Sequence, residues 1–485
     1  MTWILAAALA ASILLVDPLG GLAVVALGSV FLLLRGTGDP GILMFCLTYQ
    51  WAFIVTGFVH LDLMGTYPGN LTLGSLEFAV VLLLGSLVCI AAGLRTGILT
   101  CERLSGQVVS RLAARPANYD VNKLFAIVVV LFSASWVVGS SPRAIAYSIS
   151  QILSAGLEFR FVFLYALFLS VARQGQGYGR AAGALLFALV PTFVSGMSVF
   201  KDLLFMFLLA IINEMSHRVA TTGVTPKLKR MLMGAACGAV LIVPLGLIWQ
   251  GAIKPAWRPQ ALDTKAEASP MAKIGAFFTT ALQAVGEMDW GKSISSLAER
   301  LSGSPQLFSL VVRRVPAEVP HEGGALTWRG IRHILTPRFL FPDKENLGSD
   351  SWLVRKFAGV AAAGEESNTS IGLSYLAEFY IDFGPIGMPI ATFFFGMALG
   401  MGYRALALAA PSLPLYYGAA AIIMIRLFMG LESNFAKLLG ALVMSFIVFA
   451  LLLRLFGPWL HKTLQLPTTN RLGPPRRRGP PLGIA

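Results

Sequence analysis

A chain of 485 residues that is 56% hydrophobic and only 13% charged carries about half the charge of an ordinary soluble domain, where about 25% is typical. Its mean hydropathy of +0.72 excludes a water-soluble multidomain protein. Apolar runs long enough to cross a bilayer as helix recur along it, which identifies an all-α polytopic membrane protein. The net charge of +14 does not indicate nucleic acid: no basic–aromatic surface module accompanies it, and Lys and Arg gather in the cytoplasmic loops of membrane proteins.

In chain order, apolar segments predict spans at 2–16, 19–34, 41–60, 73–94, 123–140, 155–172, 181–198, 200–216, 231–252, 384–403, 413–430 and 438–456, about twelve in all. The first, MTWILAAALAASILLVDPLG, has no basic residue ahead of its apolar run and reads as a short span, not a signal peptide. Arg35, the run Arg95, Arg103, Arg111, Arg115 and Lys123, then Arg173 and Arg180, then Arg218, Lys227, Lys229 and Arg230 all fall on one side if spans alternate. So does the RLGPPRRRGPP tail, whereas the intervening loop HLDLMGTYPGNLTLGS has no Lys or Arg. The positive-inside rule then makes both termini cytoplasmic. The chain divides into an N-terminal bundle of spans (1–252), a long outer loop holding short helices (253–371), a C-terminal group of spans (372–460) and a basic, proline-rich cytoplasmic tail (461–485).

Cys46, Cys89, Cys101 and Cys237 show no CxxC or Cys/His spacing, so neither a disulfide framework nor a zinc site is indicated. The scattered histidines contain no HExxH, and no cofactor is called for.

Ionisable residues at the membrane are costly and point to function. Arg143, Arg160 with Glu158 two residues before it, Lys201 with Asp202, and Arg426 with Glu432 and Lys437 beyond it all lie at or near the outer boundary of the predicted spans. A single Arg there can merely snorkel to the interface, and Glu158 with Arg160 can form a local pair. Cations from separate segments gathered on one side also suit a diphosphate or other polyanion, which Arg binds bidentately and Lys as a point charge.

The outer loop carries RHILTPRFLFPDKENLGSDSW, Arg332 to Trp352. Pro337 and Pro342 fix backbone torsions; Phe339, Leu340 and Phe341 supply an apolar body; Arg338, Asp343 and Lys344 supply charge, with His333 just upstream. Such a segment either caps the bundle or grips an amphiphile with an anionic head, and Trp328, Phe339 and Trp352 offer faces for sugar rings. Next comes GEESNTSIGLSYLAEFYIDFGPIGMP, where Glu378 and Asp382 stand four apart with Tyr380 between them. At that spacing both carboxylates share one helix face, as a general base with a partner or as acids of an interfacial amphipathic helix facing water. The Gly384-Pro385 pair breaks this helix before the next span.

The residues Pro337, Arg338, Pro342, Asp343 and Lys344, followed by Thr369, Glu378, Tyr380, Phe383, Gly384 and Gly387, resemble the pattern of bacterial Wzy-type oligosaccharide repeat-unit polymerases, which make O-antigen and exopolysaccharide. The resemblance is confined to 337–387 apart from the shared hydropathy. It implies a GT-C-like helical fold in the bacterial inner membrane and an undecaprenyl-diphosphate-linked oligosaccharide as both donor and acceptor. A chain-length regulator and a flippase are the partner proteins it implies. Transfer would break an anomeric C–O bond with diphosphate leaving. Arg338, Lys344, Arg160, Arg426, Lys201 and Arg143 would hold the diphosphate, with Tyr380 beside the substrate. Glu378 is the first choice of base, followed by Asp382, Asp343 and His333. The outer loop has no DxD motif, which favours a metal-independent reaction. A lipid-linked glycan ligase shares the donor but not the acceptor. A transporter or flippase of the same lipid would instead show internal repeats and charged midplane residues, and no halving of the sequence is visible.

Overall fold

A computed structural model describes residues 17–39, 41–64, 73–114, 117–140, 150–194, 200–222, 244–263, 270–336, 341, 344, 350–362, 371–429 and 433–466. The predicted span at 2–16, most of that at 231–252 and the basic tail after Leu466 lie outside them. The first half of the chain forms α1 (Pro18–Leu34), α2 (Ile42–Met64), α3 (Leu73–Ser105), α4 (Val108–Ala113), α5 (Val121–Ser140), α6 (Ser150–Glu158), α7 (Arg160–Gln174), α8 (Tyr178–Val194) and α9 (Phe200–Thr222). A π-turn at Trp249–Ile253 leads into α10 (Lys254–Asp263), α11 (Pro270–Gly286), α12 (Trp290–Arg314), α13 (Ala325–Leu335) and α14 (Ser351–Leu353). Three long helices follow: α15 (Tyr375–Ala409), α16 (Leu413–Met429) and α17 (Phe435–Leu464). Among the described residues there is no strand, only an isolated bridge between Tyr119 and Gln465.

This is an all-helical membrane protein. Among the described residues five segments are long and apolar enough to cross a bilayer: Ile42–Asp62, Gly74–Ser105, Ile152–Gln174, Tyr375–Ala409 and Phe435–Leu464. Pro18–Leu34, Val121–Trp136, Tyr178–Val194 and Leu413–Phe428 are apolar but shorter. Two boundaries differ from the sequence expectation. α3 continues past residue 94 to Ser105, and within it Arg95 donates to the Leu33 carbonyl (2.5 Å) and the Arg35 carbonyl (3.0 Å). It thereby satisfies the C-terminal end of α1 while its own helix runs on. The span expected at 155–172 is jointed at Phe159, where Phe159 N and Val162 N donate to Gly156 O and Phe159 O, each at 3.1 Å. These i−3 bonds form a tight 3₁₀-like link between α6 and α7.

The main packing contact is between α3 and α15. α3 carries Gly93-x-x-x-Gly97 and α15 carries Gly396-x-x-x-Gly400. A Cβ on Gly93 would strike the Phe393 carbonyl, and one on Gly97 the Met397 carbonyl; one on Gly396 or Gly400 would strike the Ile90 or Leu94 carbonyl. Backbone therefore lies on backbone, the close approach small residues permit between membrane helices. Rising numbers on α3 meet rising numbers on α15, so the two helices run parallel.

At the C-terminal end of this pair Arg404, 1% exposed, donates to the Thr37 carbonyl and the Tyr416 hydroxyl at 3.3 Å. It also pairs with Glu102 at 2.7 Å. Beside it Tyr403 donates to Asp39 Oδ1 at 2.6 Å. Burial pushes the Asp39 carboxyl above its ordinary value, against the opposing bonds from Tyr403, Gly41 and Leu43 and the charge of Arg404. Nearby, Tyr119 shares hydrogen bonds with Ser412 Oγ (2.5 Å) and His461 Nδ1 (2.9 Å), and Lys123 donates to Thr463 O at 2.8 Å. Burial pushes the Tyr119 hydroxyl up to about 12. Arg173 and Arg218 flank Glu214 at 3.1 and 2.7 Å. Each of these contacts joins segments that the positive-inside reading puts on the same side.

At the opposite end the segments after residue 253 do not float free: α12 packs against α2 and α3, and α13 against α17. Phe200, Trp249, Trp257, Phe277 and Ala281 form a second hydrophobic cluster, pinned where Trp257 Nε1 donates to Val194 O at 3.0 Å.

The glycine seam makes a direct expectation. Gly97→Ala must push two backbones apart and should lower stability by about 1–3 kcal/mol, the usual range for overpacking. Gly85→Ala, on the same helix but with open space at its Cβ, should be neutral or better. Thermal unfolding of the two variants in detergent compares them; equal melting temperatures would remove the seam.

Candidate functional site

Two polar clusters flank the connection between α16 and α17. The first forms around the α6–α7 joint. Glu158 closes α6 and Arg160 opens α7. Glu158 takes its ion pair from Arg426 in the last turn of α16, not from its near neighbour Arg160. Arg160 instead donates to Leu157 O at 3.1 Å. Its guanidinium lies 5.0 Å from the Phe132 ring and 4.9 Å from the Phe161 ring, while Arg426 lies 6.0 Å from Phe161. Two guanidiniums thus share one aromatic ring, the geometry of cation–π contact. Asp202, 7% exposed, completes the group: Arg426 and Lys201 both act electrostatically on its carboxylate. The Nε atoms of Arg160 and Arg426 are buried and make no hydrogen bond among the described residues.

The second cluster is built on the first turns of α15. Ser374 caps this helix, accepting from Leu376 N at 3.2 Å, and Gly384 (φ 68°, ψ −172°) kinks it where the Gly-Pro pair predicts a break. Everything from Tyr375 to Asp382 is buried, so the acids do not face water as those of an interfacial amphipathic helix would. Glu378, 3% exposed, accepts from Phe435 N at 2.8 Å. Asp382, 2% exposed, accepts from Leu326 N (3.1 Å), Thr327 N (2.7 Å) and Thr327 Oγ1 (2.6 Å). The residue ahead of α13 is Gly324, which has no side chain to cap with. Asp382 supplies the missing cap from another helix.

A third carboxylate, Asp350, accepts from Asn434 Nδ2 at 2.5 Å and pairs with Lys437 at 2.8 Å. Asn434 in turn caps α17 through Lys437 N at 2.8 Å. Arg329 acts on Glu378 and lies 5.5 Å from the Trp352 ring.

The structure therefore brings Arg160, Arg426 and Lys201 into one cluster and Glu378 and Asp382 into the other. Tyr380 points inward: its hydroxyl donates to Val315 O at 3.0 Å, and its ring meets Phe308 and His321. Lys344 reaches back to the carbonyl of His333 at the end of α13. Arg143, Arg338 and Asp343 lie outside the described residues, as do Pro337, Pro342 and Glu432. Sequence reading missed Asp350 and Asn434. Asn434 had a signal, a cap-forming residue directly before an apolar run; Asp350 had none, because its partners stand in α17, 84 positions away for Asn434. Among the described residues no group of His, Cys, Asp or Glu could hold a metal ion.

Residues 85–459 match a family described as a domain of unknown function, DUF8712, and the chain belongs to that family. Both clusters fall within the matched region. No curated protein and no solved structure matches the chain.

Replacing Asp382 by Ala should unfasten the start of α13 at a cost of about 1–2 kcal/mol. Hydrogen exchange at Leu326 and Thr327 should rise while the centre of α15 stays protected. Unchanged exchange at those two amides would show that Asp382 is not their cap.

Proposed function

We propose that this protein is a membrane glycosyltransferase that joins lipid-diphosphate-linked oligosaccharide repeat units on the outer side of the membrane. The observation that carries the reading is the convergence of Arg160, Lys201 and Arg426, from α7, α9 and α16, with Glu158 and Asp202, next to the connection that also leads to Glu378, Asp350 and Lys437. Two guanidiniums held on one aromatic ring, with Nε atoms that make no hydrogen bond among the described residues, are suited to charge that develops on a leaving diphosphate. The wider topology belongs to the same reading: about twelve spans, a GT-C-like arrangement, both termini cytoplasmic, and the bacterial inner membrane as its place.

In the reaction, an acceptor sugar hydroxyl attacks the anomeric carbon of the donor. A new glycosidic C–O bond forms, the bond from that carbon to the diphosphate oxygen breaks, and the lipid diphosphate leaves with the electron pair. The hydroxyl proton passes to a carboxylate. Glu378 is the candidate base, and because it is 3% exposed under Phe435, the start of α17 must lift for substrate to reach it. Asp382, held by three donors of α13, shapes the site instead of taking the proton. Arg338 and Lys344 of the outer loop remain candidates for gripping the diphosphates.

Purified protein given synthetic lipid-diphosphate repeat units, without nucleotide sugar, should yield products spaced by one repeat in mass spectrometry. Glu378→Gln should slow the ladder by about 10²–10⁴-fold, the usual worth of a positioned general base, with little change in KM. Arg426→Ala should impair donor use. No ladder, with transbilayer movement of the lipid in proteoliposomes, would replace the transferase by a transporter.

A further inference from the structure

Between α5, the α6–α7 joint and the C-terminal half of α17 lies a groove of about 520 Å³, within the usual range of ligand sites. It extends along α5 from Ala126 to Ser135 and along α17 from Leu452 to Leu460, roughly 13 Å at helical rise. Its walls are almost wholly apolar, and Arg160 is the charged side chain among them. The ends are distinguishable. Phe159 meets Phe449 at the Arg160 end, whereas Lys123 meets Thr463 beyond the Trp459 end. Val130, Phe456 and Trp459 are exposed, so the groove opens sideways, out of the bundle.

We propose that this groove seats the hydrocarbon tail of a polyprenyl-type lipid phosphate whose head meets the guanidiniums of Arg160 and Arg426; the assignment rests on the lipid-linked donor proposed above. Charge complementarity selects this occupant. Glu158 gives its ion pair to Arg426 and acts on Arg160 only through space, leaving Arg160 with the Leu157 carbonyl, the Phe132 and Phe161 rings and an Nε that has no hydrogen-bond partner among the described residues. A guanidinium set into an apolar wall is satisfied by an anion that brings its own apolar chain, and a neutral lipid does not provide it. Gly156 makes the room: nothing lies within 4 Å of where its Cβ would be, so the groove passes directly over the joint that presents Arg160. Ser135 does not compete for the head, since its hydroxyl donates to Leu131 O at 2.6 Å.

The test uses the full-length protein in nanodiscs with two photoprobes, a polyprenyl diphosphate and a phosphatidylcholine, each bearing a diazirine on its tail. The diphosphate probe should label Val130, Leu131 and Leu452 at least tenfold above the phosphatidylcholine probe. Gly156→Phe should cut that labelling at least tenfold, as should Arg160→Gln, with melting temperatures near that of the parent. If Gly156→Phe does not fold, the label map of the unaltered protein decides alone. Equal labelling by both probes would make the groove ordinary lipid-facing surface and overturn the assignment. Saturable binding of the diphosphate probe with labels mapped elsewhere would overturn the tail site but leave the lipid-linked donor standing. No saturable binding would overturn both.

Discussion

The bundle depends on the seam where α3 and α15 lie backbone to backbone. Membrane helices gain nothing from leaving water for one another, because lipid is as apolar as a leucine side chain. Close van der Waals contact must do that work, and the reciprocal glycines of Gly93, Gly97, Gly396 and Gly400 allow it. Once α15 is fixed on α3, both of its ends become committed. One end delivers Tyr403 and Arg404 to the α1–α2 connection; the other delivers Glu378 and Asp382 to α17 and α13. A single apolar contact thereby sets the position of polar groups far from it.

The polar groups are arranged differently at the two ends, and the difference separates scaffold from candidate chemistry. Around Arg404 the guanidinium reaches a carbonyl, a hydroxyl and a carboxylate, although its Nε, like those of Arg160 and Arg426, makes no hydrogen bond among the described residues. Asp382 likewise has three donors and Asp39 takes bonds from Tyr403, Gly41 and Leu43. Networks of this kind rigidify a fold. In the Glu158 cluster Arg426 takes the carboxylate, and Arg160 has the Leu157 carbonyl and two aromatic rings but no ion pair among the described residues. A buried cation without full compensation is costly, and such a deficit is what an incoming anion removes.

Hydropathy made the helical class legible, and basic residues that the positive-inside reading groups do meet locally: Arg95 donates to the Arg35 carbonyl, and Arg173 and Arg218 share Glu214. The kink at Gly384 was legible too, from the chemistry of one dipeptide. The pairing of Glu158 was not. Sequence proximity favoured Arg160, but the fold brings Arg426, 268 positions away, onto the carboxylate. Asp382 was legible as a buried-site candidate only by residue type. That it caps α13 depends on Gly324 lacking a side chain at the start of a helix in another part of the chain. Long-range partners of this sort follow from packing, and no local pattern encodes them.

The five residues Gly156 to Arg160 show how one local break serves several demands at once. The i−3 bonds at Phe159 interrupt the α-helical ladder between α6 and α7. Glu158 meets Arg426 of α16 while Arg160, two positions on, lies against Phe132 of α5, as about 200° of helical rotation between them allows. Phe159 fills the joint against Phe163 and Phe449, so the break is packed and holds both charges in place. Gly156 adds nothing to that packing and leaves space beside it. In the proposed reading the anion's counter-charge and the room for its tail both derive from these five residues.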